Sequence, residues 1–123
     1  MAAPDPGDRI PEYYAAKGAL PSVAVSLAKH LAGTGITVNC VSPGVIATTE
    51  VVEGATARLQ REGAPTDWPA VEQEILRRMP NPTGRVPRPE DVGRFIAFVV
   101  SDAAWHLNGA HLRFDGGTTG VVT

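Results

Sequence analysis

A helical pattern that runs directly into a β-branched segment constrains the fold of this chain more than any other feature. Apolar residues recur at helical spacing, and the pattern stops at Gly33. These residues are Leu20, Val23, Ala24, Leu27 and Leu31. The β-branched run over residues 36–41 follows and breaks at Ser42-Pro43-Gly44. This order predicts a helix that feeds a buried strand, which ends in a turn.

The first helix is predicted over residues 12–32, although Pro21 lies inside it. Proline has no N–H to donate to the Lys17 carbonyl, and its ring crowds that turn. Either the helix continues through Pro21 with a kink, or it begins near Pro21, with the proline at its first position. We favour the continuous helix, because the alternative would take Tyr13 and Lys17 out of helical alignment.

The rest of the chain alternates helical patterns with one more strand pattern. The predicted elements are two helices over residues 48–62 and 69–79, a loop over 80–87, a helix over 89–100 and a strand over 109–114. The strand over residues 36–41 lacks polar alternation, which is typical of a strand covered on both faces. Two strands joined by a long helical crossover indicate an α/β fold with parallel neighbouring strands.

Tyr13 and Lys17 are four residues apart, so they share one face of the predicted helix. An ammonium beside a phenol favours the phenolate, which makes the two residues a candidate acid/base pair. Taken alone, a Tyr-x-x-x-Lys spacing more often marks two solvated side chains than a site.

Four motifs in order resemble the C-terminal half of the short-chain dehydrogenase/reductase family. They are Tyr13-x-x-x-Lys17, GITVNCVSPGVIAT, PEDVGRFIAFVVSDAAWHLNG and the late FDGG. The resemblance extends over about residues 10–117. It implies a partial Rossmann-like fold, with two parallel strands, a helical crossover and flanking helices.

The resemblance also implies the chemistry of an NAD- or NADP-dependent oxidoreductase of small apolar carbonyl or alcohol substrates. In such a site Tyr13 would be the general acid/base. Lys17 would hold the nicotinamide ribose and favour the tyrosine phenolate.

A second segment is assigned to the cofactor by the same resemblance. Pro43-Gly44-x-Ile46-x-Thr48 is similar to the family segment that lies against the nicotinamide. A proline-glycine turn at the carboxyl end of a strand permits close approach of the backbone to a ring. A plain turn out of the strand is an equally good reading of these residues taken alone.

No glycine-rich dinucleotide fingerprint precedes Tyr13, and the serine that the family places upstream of the tyrosine has no counterpart. We therefore expect a flexible arm over residues 1–11 and the C-terminal half of a Rossmann-like domain over 12–123. On this interpretation the chain is not redox-active alone, and a separate chain supplies the other half. The alternatives are a truncated non-catalytic remnant and a repurposed, nucleotide-independent protein that binds a small ligand. Whether the chain is an enzyme stays open.

Without an upstream strand and helix, apolar surface would be exposed, so we expect a homodimer or larger oligomer. The predicted contacts are the first helix, or the last strand together with the helix over residues 89–100. A net charge of −2 gives no reason to expect nucleic acid, and no apolar run suits a membrane. The single Cys40 and the absence of a signal-peptide pattern are typical of a cytoplasmic protein. The three histidines lack metal-ligand spacing, so no metal site is expected.

Overall fold

The computed structural model describes residues 11–120. The expected flexible arm lies outside these residues, except for Pro11, which is already helical. The helices are α1 (Pro11–His30), α2 (Thr49–Arg61), α3 (Trp68–Arg78) and α4 (Pro89–Val99), with a short 3-10 helix at Asp102–Ala104. The strands are β1 (Cys40–Pro43) and β2 (His111–Phe114). The order and type of the predicted elements are confirmed.

Helix α1 runs without interruption through Pro21, so the alternative helix start near Pro21 is wrong. Its buried residues are Ala24 and Ala28, whereas Leu20 and Leu27 of the predicted apolar face are 46% and 44% exposed. Small side chains thus allow α1 to approach the sheet, and larger apolar side chains remain on the surface of the described chain.

Strands β1 and β2 pair in parallel and form the sheet of the described residues. The register places Cys40 opposite His111 and Pro43 opposite Phe114. Together with the flanking helices, this arrangement confirms the partial Rossmann-like α/β fold. Helix α4 covers the sheet where the Phe95 ring stacks on the Phe114 ring at a centroid distance of 5.0 Å.

The predicted start of the first strand at residue 36 is wrong, because β1 begins at Cys40. Ile36 is 54% exposed. The Asn39 side chain accepts a hydrogen bond from the Ala110 N–H at 3.0 Å and donates one to the Leu107 carbonyl at 2.9 Å. Together with the hydrogen bond from the Gly109 N–H to the Val38 carbonyl at 2.7 Å, these long-range bonds attach the residues before β1 to the residues before β2.

Helices α2 and α3 pack against each other around the main apolar core. The buried members of this core are Ala55, Leu59, Val71, Ile75 and Val86. Ile75 is the largest fully buried side chain, with 1% of its surface exposed. The excursion between β1 and α4 therefore has a hydrophobic core of its own.

A buried carboxylate joins the same two helices. Glu74 of α3 is 4% exposed and accepts a hydrogen bond from the Nε of Arg58 in α2 at 2.8 Å. Arg77 and Arg78, one turn further along α3, also contact its carboxylate at 2.8 and 3.1 Å. Since a buried carboxylate without partners would be costly, this arginine cluster is what allows Glu74 to be buried here.

At the start of helix α4 the Arg88 N–H donates to the Asp91 carboxylate at 2.8 Å, and the Asp91 N–H donates to the Arg88 carbonyl at 3.0 Å. Of its predicted apolar face, Val92 and Val99 are buried, but Val100 is 77% exposed just past the end of the helix. No helix within residues 11–120 is long and apolar enough to cross a membrane.

We expect Ile75→Ala to lower the free energy of unfolding by about 2–5 kcal/mol, because it leaves a cavity in the core between α2 and α3. The matched variant Ile75→Val should cost only about 0.5–1.5 kcal/mol. Urea unfolding followed by circular dichroism measures both. A cost for Ile75→Ala no larger than that for Ile75→Val would contradict the assignment of this core.

The stability supplied by Glu74 should depend on pH. Hydrogen bonds from Arg58 and then Arg77 lower its carboxyl pKa from 4.5 to about 2, against the opposing effect of burial. Because the pKa is lower in the folded state, the stabilisation is present above pH 4.5 and is lost as the pH falls toward 2. We expect Glu74→Gln to melt several degrees below the parent near neutral pH, and the two melting temperatures to converge in acid.

The control for Glu74 is Glu53→Gln, which removes an exposed carboxylate from α2. Its melting temperature should follow that of the parent across the whole pH range. If the gap between Glu74→Gln and the parent stayed constant down to pH 2, the role of the ionised carboxylate would be refuted.

Candidate functional site

Helix α1 carries the candidate acid/base pair. Tyr13 and Lys17 are both half-buried, and the Lys17 Nζ lies 5.9 Å from the centroid of the Tyr13 ring. The neighbouring Tyr14 ring stands edge-on to Tyr13 at a centroid distance of 5.6 Å. The four-residue spacing therefore places the Lys17 ammonium near the ring of Tyr13. Tyr14 contacts the Tyr13 ring from the side.

Pro43 and Gly44 lie at the carboxyl end of β1. The Gly44 N–H donates to the Phe114 carbonyl at 3.0 Å, which continues the strand pairing by one residue. A Cβ at Gly44 would lie 3.0 Å from the Asp115 Cα, so the backbone just after β2 occupies the space of a side chain. The packing of the two strand ends is a sufficient reason for glycine at this position.

Ile46 and Thr48 form the half-buried connection from β1 to α2. Thr48 is the N-cap residue of α2, and its carbonyl accepts the Val52 N–H at 3.0 Å. Its hydroxyl makes no capping hydrogen bond to the helix backbone.

The Glu50 carboxyl has a lowered pKa, caused first by a bond from its own backbone N–H and then by the Thr48 side chain. A hydroxyl that donates to Glu50 keeps its lone pairs to accept another hydrogen bond.

The acid/base pair and the segment assigned to the nicotinamide belong to adjoining elements. Helix α1, which carries Tyr13 and Lys17, packs against β1, and β1 leads directly into Pro43-Gly44. The carboxyl ends of parallel strands are where open α/β sheets bind ligands.

A cavity of about 570 Å³ opens at this same end of the sheet. Its lining combines the loop before α4 with the end of β2, and it includes Arg85, Arg113, Asp115 and Phe114. None of the six residues assigned to the acid/base pair or to the nicotinamide lines it. Sequence reasoning missed this cavity, because no local pattern shows that the loop over residues 81–87 meets the end of β2.

The sequence also missed a hydrogen bond between the two strands. The Oγ of the buried Ser42 lies 2.7 Å from the Nε2 of His111. This contact follows from the register, since the two residues lie on neighbouring strands. Within the described part of the chain, no three His, Cys, Asp or Glu side chains are grouped to hold a metal ion.

The chain is similar to oxidoreductases along most of its length. Residues 5–119 match the family model described as Enoyl-(Acyl carrier protein) reductase. A 2-dehydro-3-deoxy-D-gluconate 5-dehydrogenase from Pseudoalteromonas atlantica is 35% identical over 93% of this chain and 40% of the relative. The 3-oxoacyl-(acyl-carrier-protein) reductase FabG of Haemophilus influenzae is 36% identical over 85% of this chain and 37% of the relative.

Solved structures show the same relation. L-sorbose reductase from Gluconobacter frateurii, in complex with NADPH and L-sorbose, superposes with a TM-score of 0.74 at 28% identity. The superposition covers 91% of this chain and 41% of that protein. The chain thus spans about 40% of the length of the curated relative from P. atlantica. With the family match over residues 5–119, these likenesses establish that the chain belongs to the short-chain dehydrogenase/reductase family of oxidoreductases.

Proposed function

We propose that this chain supplies the acid/base pair and the nicotinamide-facing segment of an NAD(P)-dependent oxidoreductase site for carbonyl or alcohol substrates. The observation that carries this proposal is the position of the Lys17 ammonium, 5.9 Å from the centroid of the Tyr13 ring on the same helix. The four-residue spacing places both side chains on one face of α1.

The proposed role of Tyr13 is proton transfer at the substrate oxygen. In the direction of carbonyl reduction, its hydroxyl donates a proton to the carbonyl oxygen. In the direction of alcohol oxidation, the phenolate takes the hydroxyl proton back. Lys17 stabilises the phenolate in both directions and contributes a donor for a ribose hydroxyl.

The residues on this side of the site suit a nicotinamide. Pro43, Gly44, Ile46 and Thr48 are all half-buried, so their backbone and side-chain atoms can be reached. The Thr48 hydroxyl, which is not used as a helix cap, can accept a hydrogen bond from a carboxamide N–H. A nicotinamide held by these residues would supply or accept the hydride at the substrate carbon. The similarity to L-sorbose reductase, which was crystallised with NADPH, supports a nicotinamide cofactor. The proposal includes both NADP and NAD.

We further propose that the site is completed by assembly with a partner. A separate chain would carry the nucleotide-phosphate site, because a second copy of this chain has the same residues and no glycine-rich fingerprint before Tyr13. Association between copies of this chain, through α1, is a separate proposal. Large apolar side chains exposed on one face of α1 support an interface there, because such a face is costly to leave in water. They are Leu20, Val23 and Leu27.

Tyr13→Phe should lower carbonyl reduction about 10²–10⁴-fold, because it removes the proposed proton donor. Consumption of NADPH and NADH with a panel of small aldehydes and ketones measures the rate, with any partner present. Tyr14→Phe is the matched control and should leave the rate within about threefold of the parent, because Tyr14 lacks a lysine at the four-residue spacing.

Equal losses in the two tyrosine variants would refute the role of Tyr13, as would unchanged turnover in Tyr13→Phe. If the parent together with its partner bound neither NADH nor NADPH in a fluorescence titration and turned over no carbonyl, the oxidoreductase proposal itself would be overturned.

Association of copies through the exposed apolar face of α1 can be tested by substitution. Leu27→Glu should shift the chain toward the monomer in light scattering, because a carboxylate at a buried apolar contact must be desolvated. Ser22→Glu is the control, since residue 22 is exposed on the opposite side of α1 and should leave the oligomer intact. A parent chain that is itself a well-folded monomer would contradict the self-assembly through α1.

A further inference from the structure

Strand β1 has a second edge that faces away from β2. The Cys40 N–H donates to the Ala110 carbonyl at 2.8 Å, and the Gly44 N–H donates to the Phe114 carbonyl at 3.0 Å. Because successive residues of a strand direct their backbone groups to opposite sides, Val41 directs its N–H and its carbonyl away from β2. In the part of the chain that the structure describes, the sheet has two strands, so no described strand pairs with Val41 on that side. We call this side the open edge of β1.

The backbone groups at the open edge suit one kind of occupant. Val41 is half-buried and offers one donor and one acceptor, and the Pro43 carbonyl points to the same side and offers a second acceptor. Pro43 has no N–H, so it leaves no donor to be satisfied there. A segment in extended conformation can pair with these groups as one ladder, which is how a strand is added to the edge of a sheet.

An apolar flank of α1 lies on the same side as the open edge. A Cβ at Gly109, just before β2, would lie 3.6 Å from the Val25 Cα, so Val25 marks the flank of α1 that faces β2. Leu20, Val23 and Leu27 lie about 140–160° away from Val25 around the helix axis, on the opposite flank. Each of these three side chains is 44–48% exposed. Since α1 packs on β1, this flank is directed beyond β1, away from β2.

The outer edge of β2 has the opposite character. His111 and Arg113 direct their backbone groups away from β1, and the His111 side chain is exposed. Polar and charged side chains are typical of strand edges that proteins leave in water. The open edge of β1 instead combines the outward backbone groups of Val41 with the apolar flank of α1. This combination favours burial against another segment.

A separate chain fits the open edge better than a second copy does. If β1 paired with the outer edge of β2 in a second copy, the contact would repeat without closing and build a filament. Most of the length of the P. atlantica relative and of L-sorbose reductase lies outside the part that this chain matches, since the chain covers 40% and 41% of them. A chain that carries this remaining part has to contact the present one. Because β1 and β2 are parallel, and wholly parallel sheets are favoured over random mixtures, a parallel added strand is expected.

We propose that the open edge of β1, together with the flank of α1 formed by Leu20, Val23 and Leu27, binds an extended apolar segment of a separate chain as a third, parallel strand. This inference rests on the separate chain of the proposed function and assigns the surface through which that chain binds. Association of copies through α1 uses the same flank. A second copy and the separate chain therefore exclude one another.

The first test measures amide hydrogen exchange by NMR with a defined probe. The probe is the part of H. influenzae FabG outside the region that this chain matches, co-expressed with the labelled parent chain. In the parent alone, the Val41 amide should exchange at least about tenfold faster than the Ser42 amide, which bonds to β2. With the probe bound, exchange at Val41 should slow at least about tenfold, because its N–H gains a carbonyl partner. The His111 amide at the outer edge of β2 is the internal control and should keep its rate.

Three outcomes would overturn the proposal. They are a probe that does not bind, a Val41 amide that stays fast in the complex, and a Val41 amide that is already slow in the parent alone. In the last case, a dependence on protein concentration would assign the edge to a second copy, and independence of concentration would assign it to residues of the same chain. The measurement needs neither cofactor nor substrate. A protected Val41 without turnover would support the binding surface and count against the oxidoreductase proposal, whereas turnover with a fast Val41 would refute the binding surface alone.

The second test uses variants, with the fold of each checked by circular dichroism. Val41→Pro removes the outward N–H and should lower the amount of chain retained by the tagged probe at least about tenfold. His111→Pro is the matched control, since it removes the corresponding N–H from the outer edge of β2 and should be retained like the parent. Val23→Glu should repeat the loss from the flank of α1, because its carboxylate must be desolvated. Its control is Ser26→Glu, on the exposed face of the same helix. Parent-like retention of both Val41→Pro and Val23→Glu, or equal losses in their controls, would refute the surface.

Discussion

The parallel pairing of β1 with β2 is the interaction on which the rest of the structure depends. Hydrogen bonds from Cys40 N–H to the Ala110 carbonyl and from Gly44 N–H to the Phe114 carbonyl mark its two ends. It joins segments that are far apart in the chain, and it sets their carboxyl ends side by side. Because Gly44 has no side chain, Asp115 can approach its backbone closely. The connection to α2 and the wall of the cavity therefore meet at one edge of the sheet.

Arginine–carboxylate contacts join helix α2 to helix α3 and also occur in the first turns of α4. Arg58, Arg77 and Arg78 surround the buried Glu74 and tie α2 to α3, and Asp91 with Arg94 closes the start of α4. Trp68 at the start of α3 lies under the Arg88 guanidinium, 5.0 Å from ring centroid to Cζ, which links α3 to the residue that caps α4. Charged groups thus connect α2 with α3 and α3 with the start of α4, and apolar packing supplies the core between α2 and α3.

Local pattern was sufficient to predict the positions of the helices and strands, because each rests on spacing within one segment. The parallel pairing was inferred from the long crossover, and the family from the resemblance of four motifs along the chain. The start of β1 was misplaced, since residues 36–39 have strand-like composition while the bonds of Asn39 to Leu107 and Ala110 come from a distant segment. The Ser42–His111 contact and the cavity depend on register and loop packing, so spacing could not reveal them. One local feature of the sequence indicates that Glu74 has partners for burial: arginines follow it three and four residues later. The roles of Tyr13 and Lys17 remain a prediction from the family motif.

The separate core of α2 and α3 also bears on the order in which the chain folds. All of its buried residues fall between Ala55 and Val86, so their contacts close only short loops. Strand β1 must instead find β2 across the whole excursion, and the entropy lost on closing a loop rises with its length. Since local contacts form faster than distant ones, the helical pair is expected to form before the sheet and to shorten the path between the strands. The excursion would then nucleate folding as well as connect the two strands.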